Sequence, residues 1–159
     1  MMEKILRILE DNARTSCEDI AAMVGLAPAE VAQKLDEYQQ GHIINGYKAL
    51  IDWEKAAVPH VQAIIELRVS PRRDRGFDEI ALAVANLCEV DSVSLMSGGY
   101  DLALVISGKS FQDIALFVAK RLSPMDGVLS TATHFVLRTY KKDGVLYGVD
   151  NEDEREWQL

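Results

Sequence analysis

The sequence predicts an α+β protein, with an N-terminal winged-helix-like helix-turn-helix domain followed by a ferredoxin-like βαββαβ domain. Three observations carry this. Apolar residues recur at helical spacing up to about residue 40, and their period drops to roughly two after Pro59. Beyond that point extended and helical patterns alternate in the order βαββαβ.

Within residues 3–10, Ile5, Leu6, Ile8 and Leu9 fall at helical spacing, and the run Asn12-Ala-Arg-Thr15 breaks it with turn-forming residues. Ser16, with Asp19 three residues on, has the spacing of a capping box in which Asp replaces Glu. It opens a helix that buries Ile20, Ala21 and Val24 and stops at Gly25. Leu26-Ala27 is then a tight connection, and Pro28 sits in a helix's first turn, where its missing N–H costs nothing. That second helix runs to about Gln40. Val31, Leu35 and Tyr38 face inward, Glu30, Gln33, Lys34, Glu37 and Gln40 face outward, and Gly41 closes it. Two short helices joined this tightly make a helix-turn-helix.

Residues 61–69 read as a strand, Arg72, Arg73, Asp74 and Arg75 as a charged loop, and 77–87 as a helix. Residues 90–96 and 102–106 are two further strands. Between them Ser97-Gly-Gly-Tyr-Asp101 suits a hairpin with a functional loop. A helix over 111–122 turns Ile114, Ala115, Phe117, Val118 and Leu122 inward, and 128–137 is the last strand. Helices cover one face of such a sheet, and the other needs a partner if it is apolar; Val93, Leu95, Leu104 and Ile106 are candidates for one face or the other. Sheet-to-sheet self-association is therefore expected. The expected domains are a helix-turn-helix over 1–44, a linker strand over 45–60, the sheet domain over 61–149 and a solvated acidic tail over 150–159.

With 48% apolar and 26% charged residues in 159, the composition is that of a folded, water-soluble chain. No apolar run approaches the length of a bilayer span. The first ten residues alternate charge with Ile and Leu instead of forming a signal sequence, so the expected location is cytoplasmic, away from the membrane. Cys17 and Cys88 form no CxxC pair, and neither a metal site, a disulfide framework nor a cofactor is expected. The net charge of −8 is awkward for binding a polyanion unless positive charge is concentrated on one face. It is not concentrated in a basic arm: residues 1–58 carry six basic against ten acidic side chains, 59–149 ten against ten, and 150–159 one against five. The densest positive cluster, Arg68, Arg72, Arg73 and Arg75, reads first as a surface loop paired with Asp74 and its neighbours, and second as a contact to DNA.

Four stretches in order, Cys17-Glu-Asp-Ile-Ala-Ala-Met-Val-Gly-Leu26 leading into Pro28, Gly41-His-Ile-Ile-Asn-Gly-Tyr47, Ser97-Gly-Gly-Tyr-Asp-Leu-Ala-Leu104 and Gly127-Val-Leu-Ser-Thr-Ala-Thr133, resemble the Lrp/AsnC (feast/famine) family of transcriptional regulators. The resemblance spans about residues 3–141, and the last two stretches are similar to the signatures of the family's ligand-sensing RAM domain. It implies a regulator that binds double-stranded DNA and responds to an amino acid or related metabolite held between RAM domains. It also implies a homodimer, in some members a tetramer or octamer, with the strand around 44–52 pairing between subunits. On the DNA side it points to Pro28, Gln33 and Lys34. On the effector side it points to Gly98, Gly99, Tyr100 and Asp101 in the loop and to Thr131 and Thr133 on the following strand. Asp101 could take the ammonium of a zwitterion, and loop amides and the two Thr hydroxyls its carboxylate; a plain turn, with Asp101 as its cap, is the competing structural reading.

The recognition helix departs from the family, whose members usually place Ser at position 27 and basic residues near 33–37. Here Ala27 stands first and Lys34 is the one cation among Glu30, Asp36 and Glu37. Each carboxylate near a phosphate adds repulsion and each missing cation forfeits counterion release, so low DNA affinity per head is expected. Gln33 could still read an adenine edge, and Lys34 a guanine or phosphate. Two alternatives follow. One is a sensor that does not bind DNA itself and works in mixed oligomers with a more basic relative. The other is an enzyme resembling siroheme decarboxylases, disfavoured because only His42, His60 and His134 are available and no acid/base constellation or catalytic motif is present.

Overall fold

The computed structural model describes residues 1–70 and 76–148. The chain divides into two compact units, Met1–Leu50 and Ile51–Leu159. The expected tail at 150–159 and Arg72, Arg73, Asp74 and Arg75 lie outside the described residues.

The N-terminal unit holds α1 (Met2–Asp11), α2 (Cys17–Val24) and α3 (Pro28–Gln40). Ser16 opens α2 by accepting the Asp19 N–H at 3.1 Å, while its own hydroxyl donates to the Asp19 carboxylate at 2.8 Å. Gly25 ends α2 in the left-handed region, at φ 72°, and its N–H closes onto the Ala21 carbonyl at 2.8 Å. The turn between α2 and α3 depends on that conformation, which a side chain would strain. Ile5, Leu9, Ile20, Ala21, Val31 and Tyr38 meet in a small core that fastens the three helices together. Residues 45–60, expected as a linker strand, form no strand within the single chain. Residues 53–57 are turn, held by the Asp52 carboxylate accepting the Lys55 N–H at 3.0 Å.

The C-terminal unit runs β1 (Val61–Val69), α4 (Asp78–Ala85), β2 (Val90–Leu95), β3 (Leu102–Gly108), α5 (Phe111–Phe117) and β4 (Val128–Phe135), with a small hairpin of β5 (Lys141–Lys142) and β6 (Val145–Leu146). The four main strands form one antiparallel sheet in the order β2-β3-β1-β4, the order of a ferredoxin-like βαββαβ chain, with β1 and β3 in the centre and β2 and β4 at the edges. Alternation sorts the side chains. Ala63, Ile65, Leu67 and Val69 of β1 and Leu102, Leu104 and Ile106 of β3 are buried with Ile80 and Val84 of α4 and Ile114 and Phe117 of α5. The register also puts Val93 and Leu95 on this helix-covered face, opposite Leu104 and Leu102. The open face carries Ile64, Glu66, Arg68, Val105, Ala132 and His134, and is far more polar than Leu104 and Ile106 would have made it.

The stretch 111–122 is not one regular helix. After α5 the chain widens into a π-helical turn, Val118–Leu122, in which the Ser123 N–H bonds the Val118 carbonyl at 2.8 Å. Val118 and Leu122 stay buried as expected, so the inward pattern alone does not distinguish the two geometries; Ala115, expected inward, lies on the exposed flank. The last strand stops at Phe135, two residues early, and Leu137 is 88% exposed.

Candidate functional site

In α3, Pro28 occupies the first turn and Ala27 offers no side-chain cap. The Glu30 carboxylate takes that place by accepting the Ala27 N–H at 2.9 Å. One of the acidic residues of the recognition helix is thus accounted for by helix initiation, where a carboxylate also faces the positive end of the helix dipole. Gln33 donates through Nε2 to Glu37 Oε1 at 3.0 Å, so it is tied along the helix before any contact is made. Lys34 is half-buried; Asp36 and Glu37 are exposed. Pro28, Gln33 and Lys34 therefore share one helix with exposed carboxylates beside them.

In the C-terminal unit the loop at 97–101 is pinned to the end of β1. Asp101 donates its N–H to the Leu67 carbonyl at 2.9 Å, and its carboxylate Oδ2 accepts the Val69 N–H at 2.8 Å. Its own carbonyl accepts the Met96 N–H at 2.8 Å. All three bonds are structural ones. They set the neighbouring residues beside the sheet, where a cleft of about 280 Å³ is lined by Glu66, Arg68, Gly99, Tyr100, Ser130, Thr131 and Ala132.

Of the expected effector residues, Gly99, Tyr100 and Thr131 come together in this cleft, while Gly98, Asp101 and Thr133 do not line it. Thr131 has its hydroxyl 3.4 Å from that of Ser123, and Thr133 shares Thr131's side of β4. Glu66 and Arg68 line the cleft and were not expected there. The sequence holds part of the signal, since even-numbered positions of β1 bring one acid and one base to the same face, two residues apart; that this face lies beside the loop comes from the fold. Pairing fixes their neighbours, Arg68 opposite Ser130 and Glu66 opposite Ala132. Glu66 Oε1 lies 3.4 Å from His134 Nε2, and Arg68 has no ion pair among the described residues.

Among the described residues, two groups outside the cleft have displaced proton affinities. Burial pushes the Glu89 carboxyl upward, but hydrogen bonds from Cys88, its own backbone N–H and Arg121, together with the Arg121 charge, outweigh this and leave it below the usual value. Burial and the carboxylates of Asp143 and Asp52 raise Tyr147. Among the described residues no group of three or more His, Cys, Asp or Glu side chains could hold a metal ion, and no helix is long and apolar enough to cross a membrane. The three histidines are scattered: His60 stacks on Trp53 with ring centroids 5.0 Å apart, His134 faces Glu66, and His42 belongs to the N-terminal unit.

Residues 3–38 match the AsnC-type helix-turn-helix domain, and residues 62–146 match the Lrp/AsnC ligand binding domain. Over 153 residues, covering 96% of this chain and 92% of the relative, the sequence is 44% identical to the HTH-type transcriptional regulator YugG of Bacillus subtilis (strain 168). It is 27% identical over 143 residues to the leucine-responsive regulatory protein of Haemophilus influenzae, with 90% and 86% of the two chains covered. Among solved structures, a transcriptional regulator of Neisseria meningitidis in complex with L-Met matches with a TM-score of 0.69 and 24% identity, covering 94% of each chain. A helix-turn-helix head on the same chain as an α/β ligand-binding domain defines a transcriptional regulator and not an enzyme, which removes the decarboxylase alternative. The chain belongs to the Lrp/AsnC family.

Proposed function

We propose that this regulator binds double-stranded DNA through α3 in the cytoplasm and that an amino acid held at the cleft beside residues 99–100 changes its assembly or its DNA affinity. The observation that carries the reading is the cleft itself. A tightly pinned glycine loop, a strand with hydroxyls and a pair of opposite charges converge in the domain that matches a ligand-binding model, on the chain that also bears the helix-turn-helix. The leucine-responsive relative and the L-Met complex support an amino acid as the class of effector. In α3, Pro28 fixes the approach of the helix, Lys34 meets a phosphate or guanine, and Gln33 reads a base edge after leaving Glu37. Asp101 fastens the loop to β1, and Gly98 and Thr133 adjoin in sequence residues that line the cleft. Self-association is part of the reading. Ile43, Tyr47, Leu50 and Ile51 are exposed around the linker and suit pairing with the same segment of a second copy, and the open sheet face suits a second sheet.

The test is binding of the purified protein to its own upstream DNA at low and moderate salt, with and without individual amino acids. Sequence-preferring binding that one amino acid alters is the expected result. Absence of binding at low salt would favour the second reading, a sensor acting through mixed oligomers, for which the exposed Asp36 and Glu37 are the specific observation.

A further inference from the structure

The open face of the sheet carries an acid and a base on its central strand. Glu66 and Arg68 stand two residues apart on β1, both on that face; Ala103 and Ala132 flank Glu66 on the neighbouring strands, and Ser130 lies beside Arg68. Glu66 Oε1 is 3.4 Å from His134 Nε2, and Arg68 has no ion pair among the described residues. With small side chains on either side, the two charged heads are what a second sheet laid on this face would meet. We infer that Glu66 and Arg68 choose the partner and the direction of packing: two copies of this chain join by their open faces with β1 antiparallel to its counterpart, Glu66 of each copy meeting Arg68 of the other. The assignment rests on the self-association in the proposed function, which leaves both the choice and the direction open.

Symmetry carries the argument. A twofold axis lying between two packed sheets relates them in one of two simple ways. Directed along the strands, it sets β1 parallel to its copy and puts Glu66 over Glu66 and Arg68 over Arg68. Directed across them at Leu67, it sets the strands antiparallel and turns the same pair of residues into two contacts between opposite charges. Each residue is then about 3.3 Å along the strand from the axis, so one operation satisfies both. Packed sheets lie about 10 Å apart, a gap that a glutamate and an arginine reaching toward each other fill, and the twist between sheets moves groups so near the axis very little. Such covered charges add little net affinity over an apolar contact, because both are desolvated. Their effect is on which pairing is allowed, since like charges brought face to face are penalised. A partner without the same acid and base at these positions would leave Arg68 covered and unmatched, so the surface fits a second copy of this chain better than a related regulator.

The experiment mixes full-length chains of which one carries a mass tag, dissociates them, lets them reassemble and counts the products by native mass spectrometry. Tagged against untagged wild type sets the random partition, and circular dichroism and melting check that each variant is folded. Glu66→Arg mixed with Arg68→Glu should give mixed assemblies in about tenfold or greater excess over matched ones, because each matched assembly puts like charges together. The double variant with both changes should assemble with itself as wild type does and should exclude wild type. If either single reversal fails to fold, the double variant against wild type carries the test by itself. Random partition in every mixture, with wild type assembling, would overturn the pair and leave self-association standing without it. An excess of mixed assemblies between the double variant and wild type would overturn the antiparallel direction. Wild type that stays monomeric throughout would overturn both the pair and the reading it rests on.

Discussion

At Gly127 a Cβ would come within 2.5 Å of Ile80 Cδ1, and the backbone there has a φ of +88°. Gly127→Ala therefore meets both a clash and conformational strain, and a loss of about 1–3 kcal/mol in urea unfolding is expected, with the helix-turn-helix contacts untouched. Asp101 makes a prediction of a different kind. Removing its carboxylate leaves the Val69 N–H without its acceptor, so Asp101→Ala should cost about 1–3 kcal/mol and speed hydrogen exchange at Val69. Asp101→Asn keeps an acceptor and should cost less; equal costs would remove the hydrogen bond as the cause. Glu89 carries a pH signature. Its folded-state value lies below 4.5, so it contributes stability above that pH and the contribution fades as pH falls through the lower folded value. With a third of the side chain exposed, the amount is below about 1 kcal/mol. Thermal melts of Arg121→Ala and wild type should therefore differ slightly near neutrality and converge in acid.

At the scale of elements, α3 is where charge decides function. Asp36 and Glu37 are exposed on it, so the double change Asp36→Lys and Glu37→Lys should tighten DNA binding and steepen its salt dependence. The slope should grow by about 0.9 for each new phosphate contact, measured by titrating the salt concentration. An unchanged slope would mean that this stretch of α3 faces away from the phosphates. The elements also show what was legible in the sequence. Helix starts and stops were, because Ser16, Gly25, Pro28 and Gly41 act locally on the backbone. So was the alternation of β1, since Ala63, Ile65, Leu67 and Val69 mark one face without ambiguity. The π-helical turn was not legible, because burial of Val118 and Leu122 is the same in either helix. The hairpin of β5 and β6 had its signal in Asp143-Gly144, both at positive φ, flanked by strand-length pairs too short to show a period. The cleft was half legible. Gly99, Tyr100 and Thr131 belong to recognisable stretches, whereas Glu66 and Arg68 join them only through the pairing of β1 with β4, which no local pattern reports.

For the whole molecule, the open face of the sheet is the surface that self-association would cover, and Ile64 lies on it at 42% exposure. Ile64→Glu should shift the assembly toward smaller species in sedimentation while the far-ultraviolet circular dichroism stays unchanged; an unshifted assembly would place the interface elsewhere. The strand order has one more consequence. β1 pairs only with strands that follow it by dozens of residues, up to Phe135 opposite Ala63, whereas the core of the first three helices closes within residues 5–38. A ribosome making this chain therefore releases a head whose contacts are already complete while β1 still waits for both of its neighbours. A transcript broken within the second half of the reading frame yields a head followed by an unfinished sheet, with Glu66 and Arg68 present but no Ser130 or Ala132 across from them. Such a product would keep α3 and lack the cleft.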